Sequence, residues 1–309
     1  MKSSVVPRSA PTIADAPLAM RTSEWDDYAL VDSGGGRKLE RFGRHMVVRP
    51  EPQCLWRPGL PEQEWAGAHA VFDPAGGGDD DDGHWRFIGP PIPSFELSWR
   101  AARFWGRFTS FRHLAFFPEQ AANWAWLDER VRTSGKSLKL LNLFGYTGIA
   151  SLVCAAAGAS VTHVDASKRA VGWAKENAEL SGLTERPVRW LTEDARKWVQ
   201  REVRRGARYD GIILDPPKFG RGPNGEVWRL LDDLPALIEG CAALLAPDAS
   251  FLLLNAYAER ISGLALAGLL AAALAERSGL VDWGELALAE RSGDRGVGVS
   301  FFARWSATP

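Results

Sequence analysis

Leu140 to Gly148, LLNLFGYTG, is the stretch that decides the fold of this chain. An apolar run stops at a short turn with two glycines, and an Ala-rich segment begins at Ile149. Buried strands of parallel sheets have such continuous apolar runs. Glycine lets the backbone of the turn approach a ligand closely. The stretch therefore predicts the first strand, loop and helix of a nucleotide-binding α/β sheet.

The segments that follow repeat this alternation, and each of the next three strands ends in an acid. Ser160–Val164 runs into Asp165, the next strand is followed by Glu193-Asp194, and Tyr209–Leu214 runs into Asp215-Pro216-Pro217-Lys218. Ligands of open parallel sheets bind beyond the carboxyl ends of the strands, so we expect these acids at one edge. Asp165 lies about 20 residues past the glycine turn, where an acid can accept both ribose hydroxyls.

Each of these features also has a purely structural explanation. Asp165 could cap the following helix, because Asp-Ala-Ser-Lys is a good helix start. Two prolines after an apolar strand can form a structural turn. The absence of G-x-G-x-x-G and of a Walker loop disfavours a nicotinamide dinucleotide or a nucleoside triphosphate. Two acids and D-P-P-K in this order favour a methyltransferase that uses S-adenosylmethionine (SAM).

The alternation predicts an α/β fold with a doubly wound, mostly parallel, seven-stranded Rossmann-like sheet and a smaller strand-rich α+β N-terminal domain. We predict a disordered tail over residues 1–23, a small substrate-recognition domain over 24–112 and a cofactor-binding domain over 113–309. A mobile, solvated acidic loop is expected over residues 76–82. The predicted strands of the large domain are 139–144, 160–164, 187–191, 209–214 and 250–255, followed by an antiparallel pair at 280–290 and 299–305. Its predicted helices are 118–132, 148–157, 167–180, 194–204, 227–245 and 263–277.

The composition is that of a globular protein, with 46% hydrophobic and 24% charged residues. No apolar segment is long enough for a membrane span, and no signal-peptide core is present. Three cysteines show neither metal-ligand spacing nor a disulfide framework, so we expect no metal site and a reducing cytoplasm. The net charge of -1 gives no overall support for a nucleic-acid partner.

Arginines alternate with aromatic residues between Trp99 and His113. Guanidinium groups and aromatic rings can contact phosphates and stack on bases, so Arg103 and Arg107 are candidates for contacts with RNA. The alternative is an amphipathic core segment whose arginines are solvated. The sequence leaves both interpretations open.

Several of these segments together resemble class I methyltransferases related to the bacterial enzymes that methylate cytosine-5 or guanine-N7 of large-subunit ribosomal RNA. The similar segments are LNLFGYTG, VTHVDASK, EDARKW, LDPPKF and, upstream, LERFG, RPEPQ and HLAFFPEQ. The resemblance covers residues 24–306. It implies SAM as the cofactor and RNA, above all ribosomal RNA, as the acceptor.

The resemblance also implies roles for individual residues. The residues implied to contact the cofactor are Gln120, Phe144, Tyr146, Thr147, Gly148, Asp165, Ala166, Asp194, Ala195 and Asp215. Among them Asp165 would hold the ribose and Asp194 the adenine amine. Asp215, Pro216, Pro217 and Lys218 would lie between the sulfonium methyl group and the acceptor. Asp215, Lys218 and Tyr257 are the candidates to manage a proton.

One departure from the family concerns cysteine. Methylation at carbon 5 of cytosine requires a thiolate nucleophile, which relatives place just after the fifth strand. Here that region reads Leu254-Asn255-Ala256-Tyr257-Ala258-Glu259, and Lys218 follows the prolines. We therefore expect direct transfer without a covalent cysteine intermediate. A protein or small-molecule acceptor, and a non-catalytic scaffold, stay as alternatives. The sequence names neither the acceptor atom nor the oligomeric state.

Overall fold

The computed structural model describes residues 10–76, 82–257, 261–291 and 295–307. The strands are β1 (Thr12–Ile13), β2 (Leu18–Thr22), β3 (Tyr28–Gly34), β4 (Arg37–Phe42), β5 (His45–Pro50), β6 (Ala70–Pro74), β7 (Gly83–Phe87), β8 (Phe95–Trp99), β9 (Ala102–Gly106), β10 (Lys139–Leu143), β11 (Ser160–Asp165), β12 (Val188–Thr192), β13 (Gly211–Leu214), β14 (Phe219–Arg221), β15 (Val227–Arg229), β16 (Phe251–Ala256), β17 (Leu280–Ala289) and β18 (Gly296–Ser306). The helices are α1 (Glu62–Ala66), α2 (Ala121–Thr133), α3 (Ile149–Ala157), α4 (Lys168–Leu180), α5 (Ala195–Arg204), α6 (Leu230–Leu244) and α7 (Gly263–Ala273), and a 3₁₀ turn spans Pro118–Gln120.

The large sheet is doubly wound, as predicted. Its main path runs β1-β17-β18-β16-β13-β10-β11-β12. The five central strands are parallel, and β18 pairs antiparallel with both β16 and β17. The chain leaves β10 toward β11 on one side and returns on the other side as β13. The strand order therefore reverses between β10 and β13, which is where such sheets bind ligands.

Helices cover both faces of this sheet because its strands are apolar on both faces. Leu141, Ile212 and Leu252 point to one face and pack in a core with side chains of α5, α6 and α7. Leu140 and Ile213 point to the other face, where they pack with side chains of α2 and α3. The three layers fix the strand ends rigidly, which positions the loops that follow them.

The prediction of a disordered tail over residues 1–23 is wrong for the residues that the structure describes in it. β1 and β2 each pair in parallel with β17, so the sheet has nine strands rather than the predicted seven. The edge of β17 offers unpaired backbone groups, and the tail satisfies them. Residues 1–9 lie outside the described part of the chain, as do residues 77–81 of the expected mobile loop.

The predicted helix over 227–245 begins too early. Val227–Arg229 form β15, which pairs antiparallel with β14 as a hairpin directly after the D-P-P-K segment. β-branched Val227 and aromatic Trp228 suit a strand better than a first helical turn. The helix itself starts at Leu230. The predicted helix over 263–277 ends early, at Ala273.

The small domain contains a five-stranded sheet in the order β3-β4-β5-β6-β7 and the separate hairpin of β8 and β9. Its aromatic core includes Tyr28, Phe42 and Phe104, and it continues into Trp124 of α2 and Leu152 of α3. The hairpin is also tied to α4, since the Trp105 N–H donates to Asn177 Oδ1 at 3.0 Å. The small domain therefore packs directly on the helical layer of the large one.

An ion pair is buried inside the small domain. Arg49 donates two hydrogen bonds to Glu40, each at 2.7 Å, and the Tyr28 hydroxyl donates a third at 2.9 Å. Burial alone would raise the pKa of Glu40, but Arg49 and Lys38 outweigh it and lower that pKa to about 2. The pair is charged, and removal of one partner leaves an uncompensated buried charge.

We expect Arg49→Ala to lower the free energy of unfolding by about 3–5 kcal/mol, the range for a broken buried pair. The matched control is Arg86→Ala, which removes the half-exposed Arg86–Asp73 pair at 3.0 Å. That loss should be about 1 kcal/mol or less, because water screens an exposed pair. Urea denaturation measures both. Equal losses for the two variants would contradict the structural role assigned to the buried pair.

Candidate active site

The loop after β10 has an unusual backbone conformation. Phe144 and Tyr146 have φ angles of 56° and 47°, and Gly148 has a φ of 82°. This left-handed region is uncommon for residues other than glycine, and strained backbone of this kind concentrates at functional sites. The Tyr146 N–H donates to Asp165 Oδ2 at 2.9 Å. The carboxylate at the end of β11 thus holds the loop in this shape.

Two glycines in the loop lie against neighbouring elements with no room for a side chain. A Cβ at Gly145 would lie 2.4 Å from the His163 ring, and one at Gly148 would lie 2.8 Å from Ala174 Cβ. Burial lowers the pKa of His163 to about 3, so its ring is neutral. The sequence analysis did not assign a role to His163, although a histidine within an apolar strand was a visible signal.

Asp165 contacts both the loop and the start of the next helix. Its Oδ1 accepts the Ser167 N–H at 2.8 Å, and the Ser167 side chain is what caps α4. Burial raises the pKa of Asp165, while the two backbone hydrogen bonds oppose that increase. Each carboxylate oxygen accepts one backbone hydrogen bond and keeps further acceptor capacity. The group therefore fits the predicted role of holding ribose hydroxyls.

Asp194 has a clear structural role in addition to the predicted one. It is buried and caps α5, with Oδ1 accepting the Lys197 N–H at 3.0 Å. Arg196 lies 3.5 Å from its other oxygen. A contact with the adenine amine stays a prediction. Ala166 and Ala195 each directly follow one of these two acids.

A buried polar cluster joins the 3₁₀ turn to the ends of β13 and β16. We define it as Glu119, Gln120, Asn123, Asp215, Asn255 and Tyr257. Gln120 Nε2 donates to Asp215 Oδ2 at 3.0 Å and to the Tyr257 hydroxyl at 3.1 Å. The Tyr257 hydroxyl donates to Glu119 Oε1 at 3.1 Å. The structure thus brings together three residues that the sequence analysis selected: Gln120, Asp215 and Tyr257.

Burial changes the acidity of this cluster. It raises the pKa of Asp215 to about 7, the negative charge of Glu119 adds to the increase, and the Asn255 amide opposes it. Despite the proximity of Asn255, no hydrogen bond of good geometry from a described residue reaches the buried Asp215 Oδ1. A buried oxygen without a donor is a costly feature. It fits a site that acquires a donor or a positive charge from a bound ligand.

Pro216 is buried, and the D-P-P-K segment reaches the solvent only beyond it. Pro217 and Lys218 are exposed, and Trp228 Nε1 donates to the Pro217 carbonyl at 2.7 Å. Lys218 Nζ lies 5.7 Å from the centre of the Phe219 ring. An acceptor molecule can therefore reach this segment from outside.

Aromatic rings connect the loop with the buried polar cluster. The Phe117 ring lies 5.9 Å from Tyr146 and 5.6 Å from Tyr257, centre to centre, and His113 lies 5.6 Å from Tyr146. The Thr147 hydroxyl donates to the Ala115 carbonyl at 2.8 Å. The sequence analysis missed Phe117, which lacks a titratable group and looks like an ordinary core residue.

Arg103 and Arg107 form ion pairs with acids outside the buried polar cluster. Arg103 pairs with Glu96 on the neighbouring strand, and Arg107 pairs with Glu176 of α4. The Arg107 guanidinium also lies 4.9 Å from the centre of the Trp173 ring. Their predicted contact with RNA stays a prediction, and it would compete with these ion pairs.

Comparison with known proteins identifies the family. A family model described as S-adenosylmethionine-dependent methyltransferase matches residues 77–257. The chain belongs to this family. A crystal structure of the SAM-dependent methyltransferase from Agrobacterium tumefaciens is 48% identical, with a TM-score of 0.92, and the match covers 97% of this chain and 96% of that one. The predicted fold class, enzyme class and cofactor are confirmed.

Curated relatives match a shorter part of the chain. "Ribosomal RNA large subunit methyltransferase K/L" of Hahella chejuensis is 36% identical over 147 residues, which are 47% of this chain and 19% of the relative. "Ribosomal RNA large subunit methyltransferase K" of Neisseria meningitidis is 32% identical over 122 residues, 39% of this chain and 34% of the relative. The chain thus matches only a minor part of these relatives' length.

Within the ranges that the structure describes, no group of three or more His, Cys, Asp or Glu side chains is arranged to hold a metal ion. No described helix has the length and apolar character needed to cross a membrane.

We expect Asp165→Ala to weaken binding of SAM and of its product S-adenosylhomocysteine (SAH). The loss should be about 1.5–3 kcal/mol for each charge-assisted hydrogen bond removed. Asp165→Asn should lose less, because one oxygen can still accept the Tyr146 N–H that shapes the loop. Calorimetry measures the affinities, and thermal denaturation controls for folding. Equal affinity of wild type and Asp165→Ala would contradict the assignment.

The affinity for SAM is expected to depend on pH through Asp215. If Asp215 lies beside the sulfonium, as the resemblance implies, the positive charge favours its ionised form. The SAM affinity should then rise with pH, by up to about tenfold per unit below pH 7, and level off above it. SAH has a neutral sulfur, so the ratio of the two affinities isolates this effect from that of Asp165. Asp215→Asn should remove the pH dependence of the ratio. A ratio that is independent of pH in the wild type would refute this placement of Asp215.

Proposed function

We propose that this methyltransferase transfers the methyl group of SAM to RNA, specifically large-subunit ribosomal RNA, by direct displacement without a covalent cysteine intermediate. The observation that carries the mechanism is the arrangement at the end of β13. There a buried Asp215 oxygen without a described donor stands beside the exposed Pro217 and Lys218. The named ribosomal RNA methyltransferases among the relatives support the choice of acceptor.

The cysteines support direct displacement. Cys154 and Cys241 lie inside α3 and α6, and burial raises the pKa of both thiols. Burial and the nearby Glu51 raise the pKa of Cys54, in the small domain, to about 11. A nucleophilic cysteine needs a lowered pKa and an accessible position. None of these three cysteines meets those conditions.

The residues of the cluster suggest how the acceptor is held. Bound SAM supplies an electrophilic methyl group on a sulfonium. Asp215 Oδ1 would accept a hydrogen bond from an N–H of the acceptor base, which aligns the nitrogen and stabilises the charge that it gains. Gln120 fixes Asp215 through the other oxygen. Burial raises the pKa of Asp215 to about 7 without SAM, so Asp215 is suited to take up the proton as the sulfonium becomes a neutral thioether. Lys218 and Tyr257 are further candidates.

The proposal extends to the organisation of the chain. The small domain over residues 24–112 would recognise the RNA, with Arg103 and Arg107 as candidate phosphate contacts. The region over residues 113–309 would carry the cofactor site. An enzyme that modifies ribosomal RNA would work in the cytoplasm. The net charge of -1 favours a protein or small molecule as the second candidate acceptor.

The test asks which molecule accepts the methyl group and whether a cysteine takes part. Ribosomes and protein-free ribosomal RNA from a strain that lacks the gene are incubated with SAM carrying a labelled methyl group. We expect label in large-subunit RNA, located by mass spectrometry of nucleosides. The variant with Cys54, Cys154 and Cys241 all replaced by Ala should retain activity, because no thiol takes part. SAM affinity of the variant controls for folding.

Two outcomes would contradict the proposal. Label in a ribosomal protein instead of RNA would make a protein the acceptor. Loss of activity in the folded, SAM-binding cysteine variant, traced to one thiol, would restore covalent cytosine-5 chemistry.

A further inference from the structure

The β14–β15 hairpin, directly after the D-P-P-K segment, has two different faces. Its antiparallel register pairs Phe219 with Arg229, Gly220 with Trp228 and Arg221 with Val227. Because side chains alternate along strands, Phe219, Arg221, Val227 and Arg229 share one face. We call this set the hairpin outer face. All four of these residues are exposed, whereas Trp228 on the other face is buried.

The hairpin outer face exposes two large apolar side chains to solvent. Phe219 is 64% exposed and Val227 is 53% exposed. Each lies opposite an arginine, so every cross-strand pair on this face combines an apolar group with a cation. Directly opposed side chains are close enough to contact one bound molecule together. The face therefore offers stacking surface and positive charge at the same place.

The inner face fixes the hairpin to the active site. The Trp228 ring lies 4.9 Å from the Phe144 ring in the loop after β10, and its Nε1 donates to the Pro217 carbonyl. The Leu230 N–H donates to the Lys218 carbonyl at 3.0 Å. The outer face is thus held at a defined position beside Asp215, on the solvent side.

The acids around the hairpin are already paired. Glu226 pairs with Lys197, and Asp233 pairs with Arg196 at 2.6 Å. Arg229 lies 3.9 Å from Asp232, and because both side chains are exposed, water screens this ion pair. Arg221 has no ion pair with any described residue. Arginines available next to an exposed aromatic ring suit a polyanion that also carries flat apolar groups.

We propose that the hairpin outer face binds single-stranded RNA next to the acceptor nucleotide, with a base stacked on Phe219 and phosphates near Arg221 and Arg229. This inference rests on the proposed function and deepens it by naming a part of the RNA-binding surface. Proteins that bind single strands combine aromatic platforms with basic grooves in this way. The surface would hold the strand while the acceptor base enters the site beside Asp215.

The test uses the full chain and protein-free large-subunit RNA from a strain that lacks the gene. Phe219→Ala should raise the Kd and the KM for RNA by about 5-fold to 100-fold, the effect of losing one base stack. Phe219→Trp should restore binding, because it keeps a stacking ring. Arg221→Ala should lower the log–log salt slope of RNA binding by about one. The SAM affinity of all three variants should equal that of the wild type.

The control is Leu264→Ala, which removes a side chain that is 52% exposed on α7. It should leave RNA binding and SAM binding unchanged. If the wild type methylates the RNA and Phe219→Ala behaves like Leu264→Ala, the inference is wrong while the proposed function stands. If the wild type neither binds nor methylates RNA, both are wrong.

Discussion

The arrangement of the candidate active site depends on the hydrogen bonds made by the side-chain amide of Gln120. With one nitrogen it binds Asp215 after β13 and Tyr257 after β16, so a single side chain connects the 3₁₀ turn to two strand ends. Its oxygen is held in turn by Asn123 Nδ2 at 2.9 Å. A fully connected amide has little orientational freedom. Asp215 is therefore held in one orientation, with Oδ2 hydrogen-bonded and Oδ1 without a donor among the described residues.

Segments before the large domain contact this turn through a hydrogen bond and act on it electrostatically. Thr22 of β2 donates to the Glu119 carbonyl at 3.1 Å, so the N-terminal strand that completes the sheet also holds the turn. Burial raises the pKa of Glu119, and Lys38 and Arg49 of the small domain oppose that increase. The buried charges of the small domain thus act on an acid next to Asp215. The small domain packs on the helical layer through the shared core that contains Phe104, Trp124 and Leu152.

The sequence predicted the parts of the molecule that depend on local pattern. The apolar runs of β10, β11, β13 and β16 and the acids at the ends of β11, β12 and β13 were visible because parallel strands are buried on both faces and end at one edge. Interactions between distant segments left no local signal. The pairing of β1 and β2 with β17 and the Gln120 bridge each join residues far apart in the chain. The short β14–β15 hairpin was hidden because Val227 and Trp228 run directly into an apolar helix.

A crystal structure of the full chain with SAH tests the central claim most directly. We expect the ribose hydroxyls within hydrogen-bond distance of the Asp165 carboxylate, with the sulfur on the side of Gln120 and Asp215. A separate groove of about 500 Å³ is lined by Trp25, Trp99 and residues of α2. Density for SAH in that groove, with the loop of Phe144 to Gly148 empty, would contradict the account.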